Sequence, residues 1–241
     1  MIKDIQLRQF TLSGDWRPLI SRLDGWNEIS DNLFSDGESS LTLRQRTEDP
    51  PALGFVFGGY NIDNAPVSLV SPSGILLNVT ERPAFMRSPT QNRMVMNHAA
   101  FQVPTVEDDR VWFEEVLGHC TVLARESVWD PIARTWWPDA HLFRPSDFYL
   151  TIRGNFTSSQ VDHIGWMAYS MESIDDTAAL LHKLGWPVLF GPEHIDGSYL
   201  VHFRGPDERV HDFFYPTPAV MPHDREIDVP VSGHDQTTGN D

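Results

Sequence analysis

Three residues of this chain have the types and spacing of a metal centre. His98 and His163 occupy the same place in two similar apolar stretches, Met96-Asn97-His98-Ala99-Ala100-Phe101-Gln102-Val103 and Val161-Asp162-His163-Ile164-Gly165-Trp166-Met167-Ala168, and Asp212 follows near the end of the second repeat. Two neutral imidazoles and one carboxylate are the ligand set of a non-heme Fe(II) centre that keeps coordination positions open for substrate and dioxygen. The steps from 98 to 163 and from 163 to 212 are 65 and 49 residues. The three side chains must therefore come from different strands rather than from one loop. A single buried histidine is more often a hydrogen-bonded core residue, but two at equivalent repeat positions with a carboxylate in step point to a ligand set.

Strand parity sharpens the choice. His98, Ala100 and Gln102 share one face, as do His163, Gly165 and Met167. On the last strand Val210, Asp212 and Phe214 face one way, and His211, Phe213 and Tyr215 the other. A shift of one residue would exchange Asp212 for His211.

The elements that must position these residues form a repeat. In the last copy a strand over 161–169 is followed by Ser173-Ile174-Asp175-Asp176, which has the form of a capping box. Ile174, Ala178, Leu181 and Leu184 then recur at helical spacing, and Gly185 is placed to stop the helix. Strands are predicted over 186–190, 198–203 and 210–215, with a turn at Gly205-Pro206-Asp207-Glu208, giving the order βαβββ. The middle copy repeats it: a strand with His98, a helix capped near Thr105-Val106-Glu107-Asp108 and ended by Gly118, a strand over 120–126 and a last strand over 148–152. Between these two strands lies an insertion rich in Trp, Pro and Asp, carrying Trp129, Trp136, Trp137, Pro138 and His141, of the kind that covers a site. A fainter copy is expected over 1–88: strands over 2–11, 39–46, 52–60 and 75–79, with a helix over 16–23. Its first strand lacks His, and Asn78 takes the place of Asp212, so this N-terminal module is expected to carry structure and no metal. The region 95–216 holds the paired modules. The polar, acidic stretch 217–241 has no periodicity and reads as a disordered tail.

Composition narrows the function classes. The chain has 241 residues, 40% of them hydrophobic, and a formal net charge of −16. Phosphate backbones would be repelled, so nucleic acid is not an expected partner. No run of about 18 apolar residues suggests a membrane span, and Met1-Ile2-Lys3-Asp4-Ile5 lacks the long apolar segment of a signal peptide. The single cysteine, Cys120, leaves no internal disulfide and fits a reducing cytoplasm. No activating motif surrounds it, so a small buried hydrophobe is expected there. Eight Trp and fourteen Phe are enough to line an aromatic pocket as well as a core.

Paired βαβββ modules with ligands on their first and last strands resemble the vicinal oxygen chelate superfamily, which includes glyoxalases and extradiol ring-cleaving dioxygenases. The segment Asn97-His98-Ala99-Ala100-Phe101-Gln102-Val103, with a helix ending Val116-Leu117-Gly118, resembles a module opening, and Gly205-Pro206-Asp207 resembles a module close. The resemblance implies an α+β fold whose repeated modules curve as sheets around a metal. The ligand order is most similar to that of type I extradiol dioxygenases and implies His98, His163 and Asp212 as ligands. Asp stands where that family normally has Glu, and Pro206 with its turn sets Asp212, not His211, at the family position. A glyoxalase-like fourth ligand would fall on Phe148-Tyr149-Leu150-Thr151-Ile152, which has no acid.

The same resemblance implies that His202 and His194, 10 and 18 residues before Asp212, orient the substrate and move protons. His202 stands where the family commonly has Tyr. Trp137, His141 and Phe214 are the expected substrate contacts. The implied protein is a cytoplasmic Fe(II) dioxygenase, with Mn(II) the alternative ion, cleaving a catechol-like aromatic substrate with O₂. The alternatives are a redox-neutral lyase, isomerase or hydrolase on the same metal, and a non-enzymatic binder of an aromatic metabolite. Three modules are an odd number for a fold that pairs them, and a homodimer through the N-terminal module would complete the pairing.

Overall fold

A computed structural model describes residues 3–37, 39–44, 54–60, 67–81, 94–117, 121–130, 135–144, 149–154, 156–157, 160–195 and 198–217. The N-terminal part contains β1 (Lys3–Ser13), α1 (Arg17–Ile20), β2 (Asn27–Ser30), β3 (Leu33–Ser35), β4 (Ser40–Arg44), β5 (Gly54–Tyr60), β6 (Val67–Val70) and β7 (Leu76–Glu81). The C-terminal part contains β8 (Val95–Gln102), α2 (Val106–Leu117), β9 (Thr121–Asp130), β10 (Thr135–Arg144), β11 (Tyr149–Arg153), β12 (Gln160–Met167), α3 (Met171–Leu184), β13 (Val188–Ile195), β14 (Ser198–Arg204) and β15 (Val210–Pro216). The fold is α+β, with two mixed sheets.

The C-terminal sheet has the order β13-β14-β15-β12-β8-β11-β10-β9. Its centre is the antiparallel pair β8–β12, and each of these strands pairs in parallel with the last strand of its own module, β11 or β15. The two βαβββ units thus meet back to back. The stretch read as a covering insertion belongs to this sheet. It forms the β9–β10 hairpin, with Trp136 opposite Trp129 and Pro138 opposite Ser127. Trp and Val favour a pleated strand over an irregular loop, which is how a Trp-rich stretch builds the middle of a module.

The N-terminal sheet, β2-β3-β4-β1-β5-β7-β6, has the same plan. β1 pairs with β5 antiparallel at its centre, β1 with β4 in parallel, and β5 with β7 in parallel. It therefore holds one complete βαβββ unit over β1–β4 and a shortened one over β5–β7. The sequence reading took this region as one copy because β2, β3 and β6 are only 4, 3 and 4 residues long and carry little periodicity. Among the described residues the units number four rather than three, so the odd count from which a homodimer was expected is not seen. Asn78 lies on β7, opposite Val56 of β5.

Local chemistry fixes the helix behind the ligand strands. Ser170 is the N-cap of α3, and it exchanges hydrogen bonds with Ser173 in a capping box set three residues before the predicted one. Gly185, at φ 72°, closes the helix in the left-handed conformation. Ile174, Ala178 and Leu181 face the buried side of the β13–β15 strands, where Val201, Phe203 and Phe213 are completely buried.

Aromatic side chains join the two sheets. Phe10 meets Trp166 edge-on at 5.5 Å and Trp26 meets Trp166 at 6.1 Å. Trp16 lies 4.4 Å from His211 and 5.3 Å from Trp186 between ring centroids. A Cβ at Gly205 would overlap the Trp16 ring, so a side chain there would push Trp16 away from this contact. The predicted tail beyond residue 217 lies outside the described residues, as do residues 82–93.

Candidate metal centre

The sheet register brings the three predicted ligands together. Gly165 is opposite His98 on the antiparallel β8–β12 pair, and Asp212 is opposite Gly165 on the parallel β12–β15 pair. A one-residue irregularity at Asp162 sets His163 opposite Ala100. All three side chains therefore emerge on one face, and their ligand atoms lie within 4.8 Å of one another. Among the described residues no other three His, Cys, Asp or Glu side chains converge in this way.

Their atoms are arranged as donors to a cation. His98 Nε2 and His163 Nε2 are 3.1 Å apart, and bonds of about 2.1 Å at right angles to one ion place two ligand atoms about 3 Å apart. Asn97 Oδ1 lies 3.3 Å from His98 Nδ1. Donation from Nδ1–H to that oxygen selects the tautomer whose Nε2 lone pair points into the cluster. Asp212 Oδ1 is buried and accepts no hydrogen bond, and it is 3.8 Å from His98 Nε2. A carboxylate oxygen stripped of both water and donors is costly unless a cation answers it. The donor set thus fits a divalent ion.

Electrostatics agree. Burial pushes the Asp212 carboxyl up to about 7, against the opposing pull of His163 and Arg153. Burial, then His163, Arg153 and His202, hold His98 well below the usual imidazole range. Without an added positive charge Asp212 and His98 favour their neutral forms, and an imidazole kept neutral is one ready to ligate.

The other predicted residues are placed unequally. His202, on β14, is opposite Asp212 and on the same face; its ring lies 6.3 Å from that of His163 and 5.9 Å from Phe190. Phe214 is two residues beyond Asp212 on that face, 5.4 Å from the His98 ring. His194 is not brought to the cluster. It is exposed and opposite Tyr199, 4.9 Å from its ring, on the face that carries Val201 and Phe203 towards α3. An irregularity in the β13–β14 pairing between Phe190 and Glu193 puts it there, which counting back from Asp212 does not reveal. His211, the alternative to Asp212, also faces the core, where its Nε2 binds both oxygens of buried Asp207 at 3.0 and 3.1 Å. Trp137 and His141 are on β10, opposite Val128 and Ile152, and their side chains lie outside the described residues.

Register also identifies residues that the sequence reading passed over. β11 pairs with β8 as β15 pairs with β12, so the place that Asp212 takes opposite Gly165 is taken in the other module by Thr151, opposite Ala100. The module symmetry would allow a fourth carboxylate there, and the chain has a hydroxyl. Two residues further along the same face stands Arg153, opposite Gln102 and buried. A polar residue alternating with Leu150 and Ile152 was the available signal. Gly165 is the third: a Cβ there would overlap the His98 ring at Cε1, Nδ1 and Nε2.

Solved structures share this architecture. The 2,3-dioxygenase LapB from Pseudomonas sp. KL28 superposes with a TM-score of 0.62 at 13% identity, covering 91% of this chain and 96% of that one. A Mn(II)-bound glyoxalase from Novosphingobium aromaticivorans gives 0.64 at 15% identity over 89% and 83% of the two chains. Homoprotocatechuate 2,3-dioxygenase from Arthrobacter globiformis gives 0.62 at 12% over 89% and 80%. The fold is that of the vicinal oxygen chelate proteins. No protein-family model matches the sequence, and no curated protein matches it significantly. The likeness to these vicinal oxygen chelate structures is therefore one of backbone, and the ligand set rests on the geometry of this chain.

Proposed function

We propose that this chain is a metal-dependent extradiol-type dioxygenase that opens a catechol-like ring with O₂. The observation that carries the reading is the convergence of His98, His163 and Asp212 on one face, with Thr151 in place of a fourth carboxylate. Three facial protein ligands leave positions for a chelating substrate and a second small reactant, the pattern of non-heme Fe(II) oxygenases. When bound, Fe(II) or Mn(II) would supply the chelation and electron transfer that the side chains cannot.

The chain's own groups do the rest. His98 and His163 present neutral nitrogens, and Asp212 balances part of the ion's charge. Phe214, beside the His98 ring, offers an apolar wall to an aromatic ligand. His202 is the proton-handling group: it shares the ligand face without belonging to the triad, and its imidazole can accept a catechol hydroxyl proton. The structural likeness to two 2,3-dioxygenases over about nine-tenths of the chain supports this reading. The test is anaerobic loading with Fe(II), then oxygen-electrode measurement across a catechol panel. Stoichiometric uptake with ring opening is expected.

A second reading rests on the equally extensive likeness to a Mn(II)-bound glyoxalase. A redox-neutral enzyme would use the ion to polarise a chelated substrate. Fe(II) confirmed bound with no oxygen uptake from any catechol would favour it.

A further inference from the structure

Two of the three candidate ligands lie in one cross-strand row, and the next row of the sheet is apolar. His98, Gly165, Asp212 and His202 stand opposite one another in turn across β8, β12, β15 and β14. One pleat further, Val95 is opposite Met167, Met167 opposite Phe214, and Phe214 opposite Leu200. The extra residue that β8 inserts at Asn97 brings Val95 into line with Met167. Strand parity puts all four on the ligand face, because their chain neighbours Met96, Trp166, Phe213 and Val201 are buried on the other. Each of the four is only half-buried, so each keeps some surface on that face.

Neighbouring strands are about 4.8 Å apart, so the row makes an apolar strip about 14 Å long, one pleat from the row that holds His98 and Asp212. Phe214 joins the strip to the cluster, with its ring 5.4 Å from that of His98. At its far end the strip meets Glu193, exposed on the edge strand β13 opposite Leu200. A carboxylate there disfavours an anionic group lying along the strip. An apolar substituent that crosses it removes water from both surfaces. A charged or hydrogen-bonding one loses its hydration against side chains that offer no partner.

We propose that Val95, Met167, Phe214 and Leu200 form a specificity-determining surface for an apolar arm of the substrate, so that the preferred catechols carry an alkyl or aryl substituent. This rests on the catechol reading of the metal site and names the substrate class within it.

The test is anaerobic titration calorimetry of Mn(II)-loaded protein with catechol and with its 3- and 4-alkyl derivatives from methyl to propyl. Catechol itself reports on the catechol reading, and the ratio of Kd values between successive homologues reports on the strip. In at least one series each added methylene is expected to tighten binding about fourfold, the worth of one buried CH₂. A dihydroxyphenylpropanoate, which ends a similar arm in a carboxylate, should bind more weakly than 4-propylcatechol. In Met167→Gln and Leu200→Asn the ratio between homologues should fall towards one. If one variant does not fold, the other decides; if neither folds, the wild-type series and the propanoate decide. Catechol that binds with no gain in either series would overturn the assignment of the strip and leave the catechol reading intact. A gain that survives in both variants, or a propanoate that binds more tightly than 4-propylcatechol, would also overturn it. No binding of any of these compounds to protein of confirmed metal content would overturn both.

Discussion

Gly165 and His98 face each other across the central antiparallel pair, and the His98 imidazole occupies the space that a side chain at 165 would fill. The glycine is thus part of the candidate metal centre without offering a ligand atom. Gly165→Ala should displace the His98 ring. We expect a loss of about 1–3 kcal/mol in stability from overpacking, with divalent-ion affinity falling by at least the 10- to 100-fold typical of a disturbed supporting residue. Thermal unfolding and metal titration of the same preparation check both effects.

Removing a ligand should act on the ion more than on the fold. His98→Ala and His163→Ala leave the hydrophobic core behind the sheet intact, since both rings face away from Val201, Phe203 and Phe213. Each should lose more than about 100-fold in divalent-ion affinity, beyond the effect of a supporting residue, with near-native circular dichroism. Elemental analysis of wild type should give close to one ion per chain. Full occupancy in both variants would remove these residues from the ligand set.

The pH dependence of metal binding follows from Asp212. With its carboxyl pushed up to about 7, the metal-free folded chain holds that proton below this pH, and binding must release it. Apparent affinity should therefore fall by about tenfold per pH unit below about 7 from this group, and its contribution should flatten above. His98 adds little competition there, because its proton affinity is lowered in the fold. The sign for metal-free stability is opposite. The unfolded chain releases the Asp212 proton first, so this group makes stability fall as pH rises from about 4 to about 7. Asp212→Asn should bind weakly and lose the carboxyl's part of the slope, as read by Mn(II) titration from pH 5.5 to 8.

The junction between the two sheets can be weakened separately. Trp16 is fully buried against His211, Trp186 and Phe203. This contact lies on the core side of β15, whereas Asp212 lies on the other. Trp16→Ala should cost about 3–5 kcal/mol, as truncation of a large buried aromatic does. Metal stoichiometry at low temperature should stay near wild type.

What the sequence made legible follows from how locally each feature is specified. His98 and His163 stood out because both open modules with strong apolar runs, and Asp212 because a fixed turn precedes it. The helices over 106–117 and 171–184 were legible from their periodicity and the second also from its Gly185 stop, although its N-cap is Ser170 and not the predicted Ser173. Short strands were not, since three or four residues such as Leu33–Ser35 cannot show a period of two convincingly. The β9–β10 hairpin was hidden for another reason: Pro138 reads as loop punctuation, yet it fits within a strand. The roles of Thr151, Arg153 and Gly165 depend on cross-strand register, which connects residues far apart in the chain. His194 failed to reach the cluster through a strand irregularity of the same non-local kind.

His202 carries the last prediction, which separates chemistry from binding. Its backbone is paired with that of Asp212 through the β14–β15 register, so its ring is held near the ligand face without supplying one of the three ligand atoms. A group in that place can take a hydroxyl proton as the substrate binds and return it later in the cycle. His202→Phe keeps an aromatic ring of similar bulk and removes both titratable nitrogens. Turnover of an active catechol should fall by about 10²- to 10⁴-fold, the usual contribution of a proton-transfer group. Metal content and anaerobic catechol affinity should change little, and the limb of the kcat–pH profile that reports His202 should disappear. Rapid-mixing spectroscopy should then show ligand binding at the wild-type rate followed by a slowed later step. A variant that turns over as fast as wild type would exclude His202 from proton transfer, whereas one that loses its metal would make it a support for the triad.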